Sequence, residues 1–346
     1  MESHNSGTRH IVTTPAVSIV MATYNRPAAL GFAIRSVLAQ DFDDWELTVV
    51  GDRCTAATAE LVASFADERI RYVNLAINHG EQSGPNNVGI ARANGRYIAF
   101  LNHDDLWFAD HLRAAVDWLE ACGADAVIAR SAKVMPADVS LGEAGWYVQL
   151  TGQGRHGRYD PVRTEGPLSS LLAKSEVARA TGPMRSAFDC FTSSSQEWLF
   201  RIWKRGFDVR TMPHLTVLQV PSGVRAMSYR DPDTPEHAFF APRFADPAGL
   251  RTLLLDRLAK PRHRPLWRRL ARPVARSALR LAAHAGFCPN EVIGSFQFGW
   301  RRGSFINGLR RIRGLPEMPD PDPPAARLRE RYAREREERD RAPPSA

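Results

Sequence analysis

The chain has 346 residues, 44% of them apolar and 24% charged, which argues against a disordered polymer and suffices for one large domain with an appendage or two small domains. Its formal net charge is +8 at pH 7, and twelve arginines against the single acid Glu291 fall between Arg262 and Arg313, so the positive excess sits in the C-terminal third and points to anionic partners. Cys54, Cys122, Cys190 and Cys288 are far apart and form no C-x-x-C pair, which argues against a metal knuckle or disulfide framework and fits a reducing compartment.

Residues 1–15 are polar and read as a loose arm. Val17–Ala22 is a continuous apolar run that stops at Thr23-Tyr24-Asn25, the pattern of a buried strand entering a loop. Pro27 suits a first helical turn, and Leu30, Ile34, Val37 and Leu38 recur at helical spacing. Trp45–Val50 is a second strand ending at Gly51-Asp52, Thr58–Phe65 a short helix and Ile70–Leu75 a third strand. After a Gly- and Asn-rich loop, Asn87–Ala93 reads as helix and Tyr97–Leu101 as a strand ending at Asn102-His103-Asp104-Asp105. His111–Ala121 is amphipathic, and Ala126–Ala129 reads as strand. Strands alternating with helices predict a mostly parallel sheet covered on both faces, with ligands at the carboxyl ends of the strands. Three such ends carry Thr23-Tyr24-Asn25, Asp52 and Asp104-Asp105.

Residues 136–165 are rich in Gly and polar groups and read as an insertion. Pro167–Ala180 resembles a helix. Ser193–Gly206 is a strong one, with a Ser cap, Glu197 in its first turn and a glycine stop. Val217–Val220 reads as a last core strand. From Ala241 the texture turns to Arg, Pro and Ala, and Arg327–Arg341 alternates charges with almost no apolar stripe. The expected division is an arm (1–15), an α/β domain (16–240), a basic helical extension (241–318) and a charged tail (319–346). The N-terminus shows no basic segment followed by a long apolar run, and no stretch approaches the roughly 20 apolar residues of a membrane span, so the expectation is a cytoplasmic protein.

The string VSIVMATYNRP at Val17–Pro27, followed by SVLAQDFDDWELTVVGD, is similar to the opening of the family 2 glycosyltransferases, which have the GT-A fold. So is GPNNVGIARANGRYIAFLNHDD at Gly84–Asp105. The resemblance covers residues 16–220 and implies sugar transfer from a nucleotide-activated donor, a UDP-sugar first among them, to an acceptor hydroxyl with inversion. It implies that Thr23, Tyr24 and Asn25 line the donor pocket, that Asp52 binds base or ribose, and that Asn87 belongs to the donor-side loop. It further implies that Asp104, with Asp105, holds a divalent cation, Mn²⁺ or Mg²⁺, against the diphosphate. Hard cations take carboxylate oxygens, and a leaving diphosphate completes their shell.

The chain departs from the family at several acids. Gly51 stands where many members carry a first Asp, Asn102 opens the metal element, and Ser194-Ser195 fall at the family's Glu-Asp pair. Glu197, two positions on, is the nearest carboxylate and is expected to serve as general base. These losses keep open a second class, a nucleotide-sugar-binding or scaffold protein without catalysis. The expected acceptor is a growing polysaccharide, a lipid-linked glycan or a small metabolite. The Arg-rich stretch 262–313 reads as a peripheral surface for anionic membrane, or else as a solvated appendage or oligomer contact. No nucleic-acid motif accompanies it, and no nucleic-acid partner is expected.

Overall fold

The computed structural model describes residues 14–136, 145–220, 225–231, 233–258 and 266–318. The tail 319–346 and all but the end of the arm 1–15 lie outside the described residues. The apolar runs of the N-terminal half form strands as expected: β1 (Val17–Thr23), β2 (Trp45–Gly51), β3 (Ile70–Asn74) and β4 (Tyr97–Phe100). They lie side by side in the order β3-β2-β1-β4, all parallel, with Val17 opposite Trp45 and Tyr97 and Thr23 opposite Gly51. The crossovers are α1 (Pro27–Leu38), α2 (Ala56–Ser64) and α3 (Ser83–Arg92), the last starting four residues before its predicted onset. Pro85 is tolerated there because it lies in the first turn, where amide hydrogens have no helical partner.

The second half of the sheet is antiparallel to the first at its junction. The chain continues through β5 (Asp105–Trp107), α4 (His111–Cys122), β6 (Ala126–Pro136), β7 (Trp146–Thr151), β8 (Leu171–Lys174), α5 (Ser175–Thr181), α6 (Ser194–Lys204) and β9 (Val209–Gln219). β8 lies between β4 and β6, antiparallel to both, while β6 and β9 are parallel and β5 closes the order against β9. The sheet is therefore mixed, its parallel part confined mainly to the first four strands. The helix expected over Pro167–Ala180 is a 3-10 turn (Leu168–Ser170), β8 and then α5. Leu171, Leu172 and Ala173 are all buried, and a short apolar run that is wholly buried has the same appearance in a strand as in a helix. Within the expected insertion, β7 pairs with β6.

One core lies on the face carrying α1, with Leu30, Ile34 and Val37 against Ile19, Leu47 and Leu119. The other holds Trp198 and Ile202 of α6 against Ile98, Phe100 and Ala173, the Trp198 ring meeting Phe100 edge-on at 5.7 Å. A third core runs straight across the boundary expected at residue 240. Phe240, Leu250 and Leu254 join Leu106, Phe108 and Trp146, so α7 (Pro235–Phe240) and α8 (Pro247–Asp256) pack on the sheet rather than beginning an appendage. Beyond them follow α9 (Leu266–His284), α10 (Pro289–Phe298) and α11 (Ser304–Ile312). Among the described residues no helix is long and apolar enough to cross a membrane.

Candidate active site

The carboxyl ends of β1, β2 and β4 meet at one cavity of about 620 Å³, lined on that side by Thr23, Tyr24, Asp52 and Asp104. Parallel register brings them together: Thr23 pairs with Gly51, and the Asp52 amide donates to the Thr23 carbonyl at 2.9 Å. Gly51 is dictated by space. A Cβ there would stand 2.5 Å from the Tyr72 hydroxyl and 2.7 Å from Asn74 Oδ1, so the first acid of the family's pair is replaced by side chains arriving from β3.

Asp52 is buried, and it organises the loop that follows β3. Its Oδ1 accepts from the His79 amide at 2.7 Å and its Oδ2 from the Gly80 amide at 2.9 Å. Burial lifts its pKa to about 6 against these two bonds and the nearby charge of Arg310. Gly80, at φ +71°, is held from both sides: its carbonyl accepts from Arg310 Nη1 of α11 at 2.6 Å. Arg310 itself is buried, and its Nε donates to the Pro316 carbonyl at 2.8 Å. The expected cationic surface over 262–313 therefore does not extend to its end, because Arg310 and Arg313 line the cavity. Arg280 is also engaged, at 2.7 Å from Asp160.

The segment 225–231 closes the same side. The amides of Met227 and Tyr229 donate to the carbonyls of Ile312 and Arg313 at 2.7 and 3.1 Å, which seats the Tyr229 ring among the strand-end residues. Its centroid is 6.1 Å from that of Tyr24 and 5.4 Å from the Arg26 guanidinium carbon.

Asp104 faces this cluster, 3.8 Å from Arg26 Nη1. Burial works to raise its carboxyl, but the positive field of its surroundings, with the Arg26 and Arg313 guanidinium groups in it, outweighs that and leaves Asp104 below the ordinary carboxylate range. Asp105 points elsewhere. Its Oδ2 accepts from Ser169 Oγ at 2.5 Å and from Asn102 Nδ2 at 3.0 Å, and it does not line the cavity. Burial, then the charge of Asp104, pushes it up to about 7. Asp105, expected beside Asp104 at a cation, is instead placed in the turn beneath the cavity. His103 is buried and held neutral by that burial. Its Nδ1 lies 3.2 Å from the Ala22 carbonyl, an acceptor, which assigns the proton to Nδ1. Nε2, buried without a hydrogen-bond partner, then carries the lone pair.

Three further expected residues lie outside the cavity wall. Asn25, at φ +44°, accepts from the Thr55 amide at 2.8 Å and shapes the turn before α2. Asn87 exchanges two hydrogen bonds with the Met184 backbone, at 2.9 and 2.8 Å, and so ties α3 to the loop before α6. Glu197 is buried on α6 with both carboxylate oxygens 2.9 Å from Arg201 Nε and a third contact to Arg185 at 3.5 Å. An i,i+4 pair turned into the protein replaces the expected base. What the first turn of α6 presents to the cavity is Ser194, Ser195 and Gln196. Glu81, Tyr229, Arg310 and Arg313 were not singled out in the sequence. None belongs to a matched motif, and only Glu81, next to the Gly- and Asn-rich loop's Gly80, had a local signal.

Residues 18–167 match the family model described as Glycosyl transferase family 2. That match takes in 150 of the 346 residues, from β1 through β4 to just past β7. Among curated relatives, the Succinoglycan biosynthesis protein ExoO of Rhizobium meliloti is 40% identical over 114 residues, 33% of this chain and 32% of that protein. The UDP-Glc:alpha-D-GlcNAc-diphosphoundecaprenol beta-1,3-glucosyltransferase WfgD of Escherichia coli is 36% identical over 103 residues, 30% of this chain and 40% of that protein. The chain thus spans well under half the length of the curated relatives it matches. Among solved structures, S. aureus TarS 1–349 in complex with UDP-GlcNAc superposes with a TM-score of 0.52 at 14% identity, covering 83% of this chain and 74% of that one. That likeness is one of fold, and the fold is of the GT-A kind. The family match ends at residue 167, before α6 and α11, which complete the cavity wall.

Proposed function

We propose that the chain transfers a glycosyl group from a nucleoside-diphosphate sugar to an acceptor hydroxyl, in bacterial polysaccharide or glycolipid synthesis. The observation that carries this reading is the single cavity in which Thr23, Tyr24, Asp52 and Asp104 converge from three strand ends of the family 2 domain. The names of the relatives, one a succinoglycan biosynthesis protein and one a glucosyltransferase acting on a diphosphoundecaprenol-linked sugar, support the acceptor class. A UDP-sugar is the first donor to test.

In this reading the donor's base and ribose lie by Thr23, Tyr24 and Asp52, and its diphosphate lies toward Asp104, Arg26 and Arg313. The guanidinium groups supply charge for the phosphates without proton transfer. A divalent cation implied by the family fits the residues present: the Asp104 carboxylate lines the cavity, and the adjoining His103 has a neutral, unpartnered Nε2. Asp104 and His103 would hold it together with the donor's own phosphate oxygens. Among the described residues no group of three or more His, Cys, Asp or Glu could hold a metal without that help. When bound, such a cation neutralises charge on the departing diphosphate. The reaction is a single displacement with inversion at the anomeric carbon.

The exposed Val274, Leu281, Phe287 and Trp300, carried on a chain stretch rich in arginine, support peripheral contact with anionic lipid on the cytoplasmic face.

The test is calorimetric titration of UDP, GDP, CDP and dTDP, each with and without Mn²⁺, against wild type and Asp104→Ala, followed by donor hydrolysis. One nucleotide is expected to bind with Mn²⁺, and Asp104→Ala is expected to weaken it roughly 100-fold. Binding without any donor hydrolysis would reassign the chain as a nucleotide-sugar binder, and no binding at all would remove the reading.

A further inference from the structure

Transfer to a hydroxyl needs a group that takes the hydroxyl proton as the new bond forms. The cavity wall offers four carboxylates: Asp52, Glu81, Asp104 and Glu165. Asp52 is spent on two loop amides. Asp104 stands on the phosphate side among arginines. Glu165 is 53% exposed and committed to Lys133 at 2.8 Å. Glu81 differs from all three. It precedes α3, and its Oε2 accepts from the Ser83 amide at 2.7 Å while its Oε1 accepts from the Ser83 hydroxyl. Oε2 also lies 3.5 Å from Ser194 Oγ, in the first turn of α6. These bonds, together with one from the Ala187 backbone, orient Glu81 in the cavity wall between the loop before α3 and the first turn of α6.

We propose that Glu81 is the general base of this enzyme, entering the cavity from the loop before α3 to stand beside the serines of α6. The assignment rests on the glycosyl-transfer reading above. As Glu81 takes the acceptor's hydroxyl proton, the acceptor oxygen bonds the anomeric carbon. The bond from that carbon to the diphosphate oxygen breaks, and its electron pair leaves with the nucleoside diphosphate. The proton returns to solvent before the next turnover. The surroundings tune the group for this. Burial lifts it most, the Ser83 bonds oppose that, and the charge of Asp52 adds to it, placing it at about 7. Besides Asp52, the titratable group that acts on it is Cys190 before α6, whose thiol burial keeps neutral; Arg310 of α11 reaches only the neighbouring Gly80 carbonyl.

The experiment uses the full chain, the sugar nucleotide of the base selected by calorimetry, water as acceptor and nucleoside diphosphate release as readout, from pH 5.5 to 9. Wild type should lose turnover below about pH 7, because the base is then protonated. Glu81→Gln should lower kcat roughly 10²–10⁴-fold, abolish that acidic limb and leave nucleoside diphosphate affinity within about threefold. Glu197→Gln should keep the limb. Glu81→Gln with kcat near wild type, or with the limb intact and affinity lost in parallel, would overturn the assignment in favour of a loop-shaping role. A wild type that neither binds nucleotide nor releases it from the donor would overturn the transfer reading itself, and this assignment with it.

Discussion

The two walls of the cavity are built by different means. On one, Thr23, Asp52 and Asp104 ride directly on the ends of parallel strands, and the register of the sheet sets where they stand. On the other, Tyr229, Arg310 and Arg313 arrive from segments far along the chain, held by backbone bonds between 225–231 and the end of α11 and by the Arg310 guanidinium on Gly80. The first wall is as rigid as the sheet. The second is tied on by a few polar contacts, one of which reaches the loop that follows β3. Gly80 is where they meet, its amide given to Asp52 and its carbonyl to Arg310.

That meeting point gives the strongest way to break the comparison. Arg310→Ala removes the charged donor's bonds to the Gly80 and Pro316 carbonyls, a loss of about 1–3 kcal/mol. If the second wall shapes the donor loop, part of that loss appears as roughly 10-fold weaker nucleotide binding by calorimetry. Arg310→Lys should not restore it, since one ammonium cannot span both carbonyls with a planar fork. Unchanged affinity in Arg310→Ala would make the second wall mere packing.

The rigid wall is sharpened by trying to restore the missing acid. Gly51→Asp puts a Cβ against Tyr72 and Asn74, and overpacking of this kind costs about 1–3 kcal/mol. The expected outcome is a Tm lower by several degrees and no gain in Mn²⁺-dependent nucleotide affinity. A tighter complex would mean that the strand end yields and that Gly51 is a loss rather than an accommodation.

The same contrast explains how much was legible in the sequence. Val17–Thr23, Trp45–Gly51 and Tyr97–Phe100 announce buried parallel strands through unbroken apolar runs, and such strands deliver their polar termini to one edge. Spacing says where a residue sits along the chain but not which way its carboxylate turns. Asp104 and Asp105 are adjacent, yet one faces the cavity and the other Ser169. Glu197 was nearest in sequence to the expected base position, and helical periodicity aimed it at Arg201 instead. Glu81 and Arg310 gain their places only from tertiary approach, Glu81 from α6 and Arg310 from the donor loop. No local pattern encodes that.

The smallest expected effect tests whether Glu81 belongs to the cavity's chemistry or to the cap of α3. A carboxylate raised by burial favours its protonated form in the folded state. Its contribution to stability is therefore complete below the ordinary Glu pKa of 4.5 and is lost as pH rises through about 7. A simple capping acid behaves oppositely, since ionisation strengthens its hold on the Ser83 amide. Comparing the Tm of wild type and Glu81→Gln at pH 5 and pH 8 separates the two. If burial dominates, the variant gains on wild type as pH rises, because only wild type must then carry a buried charge. If capping dominates, the variant falls further behind, and the loop before α3 would join the rigid wall as scaffold while the chemistry passed to another group.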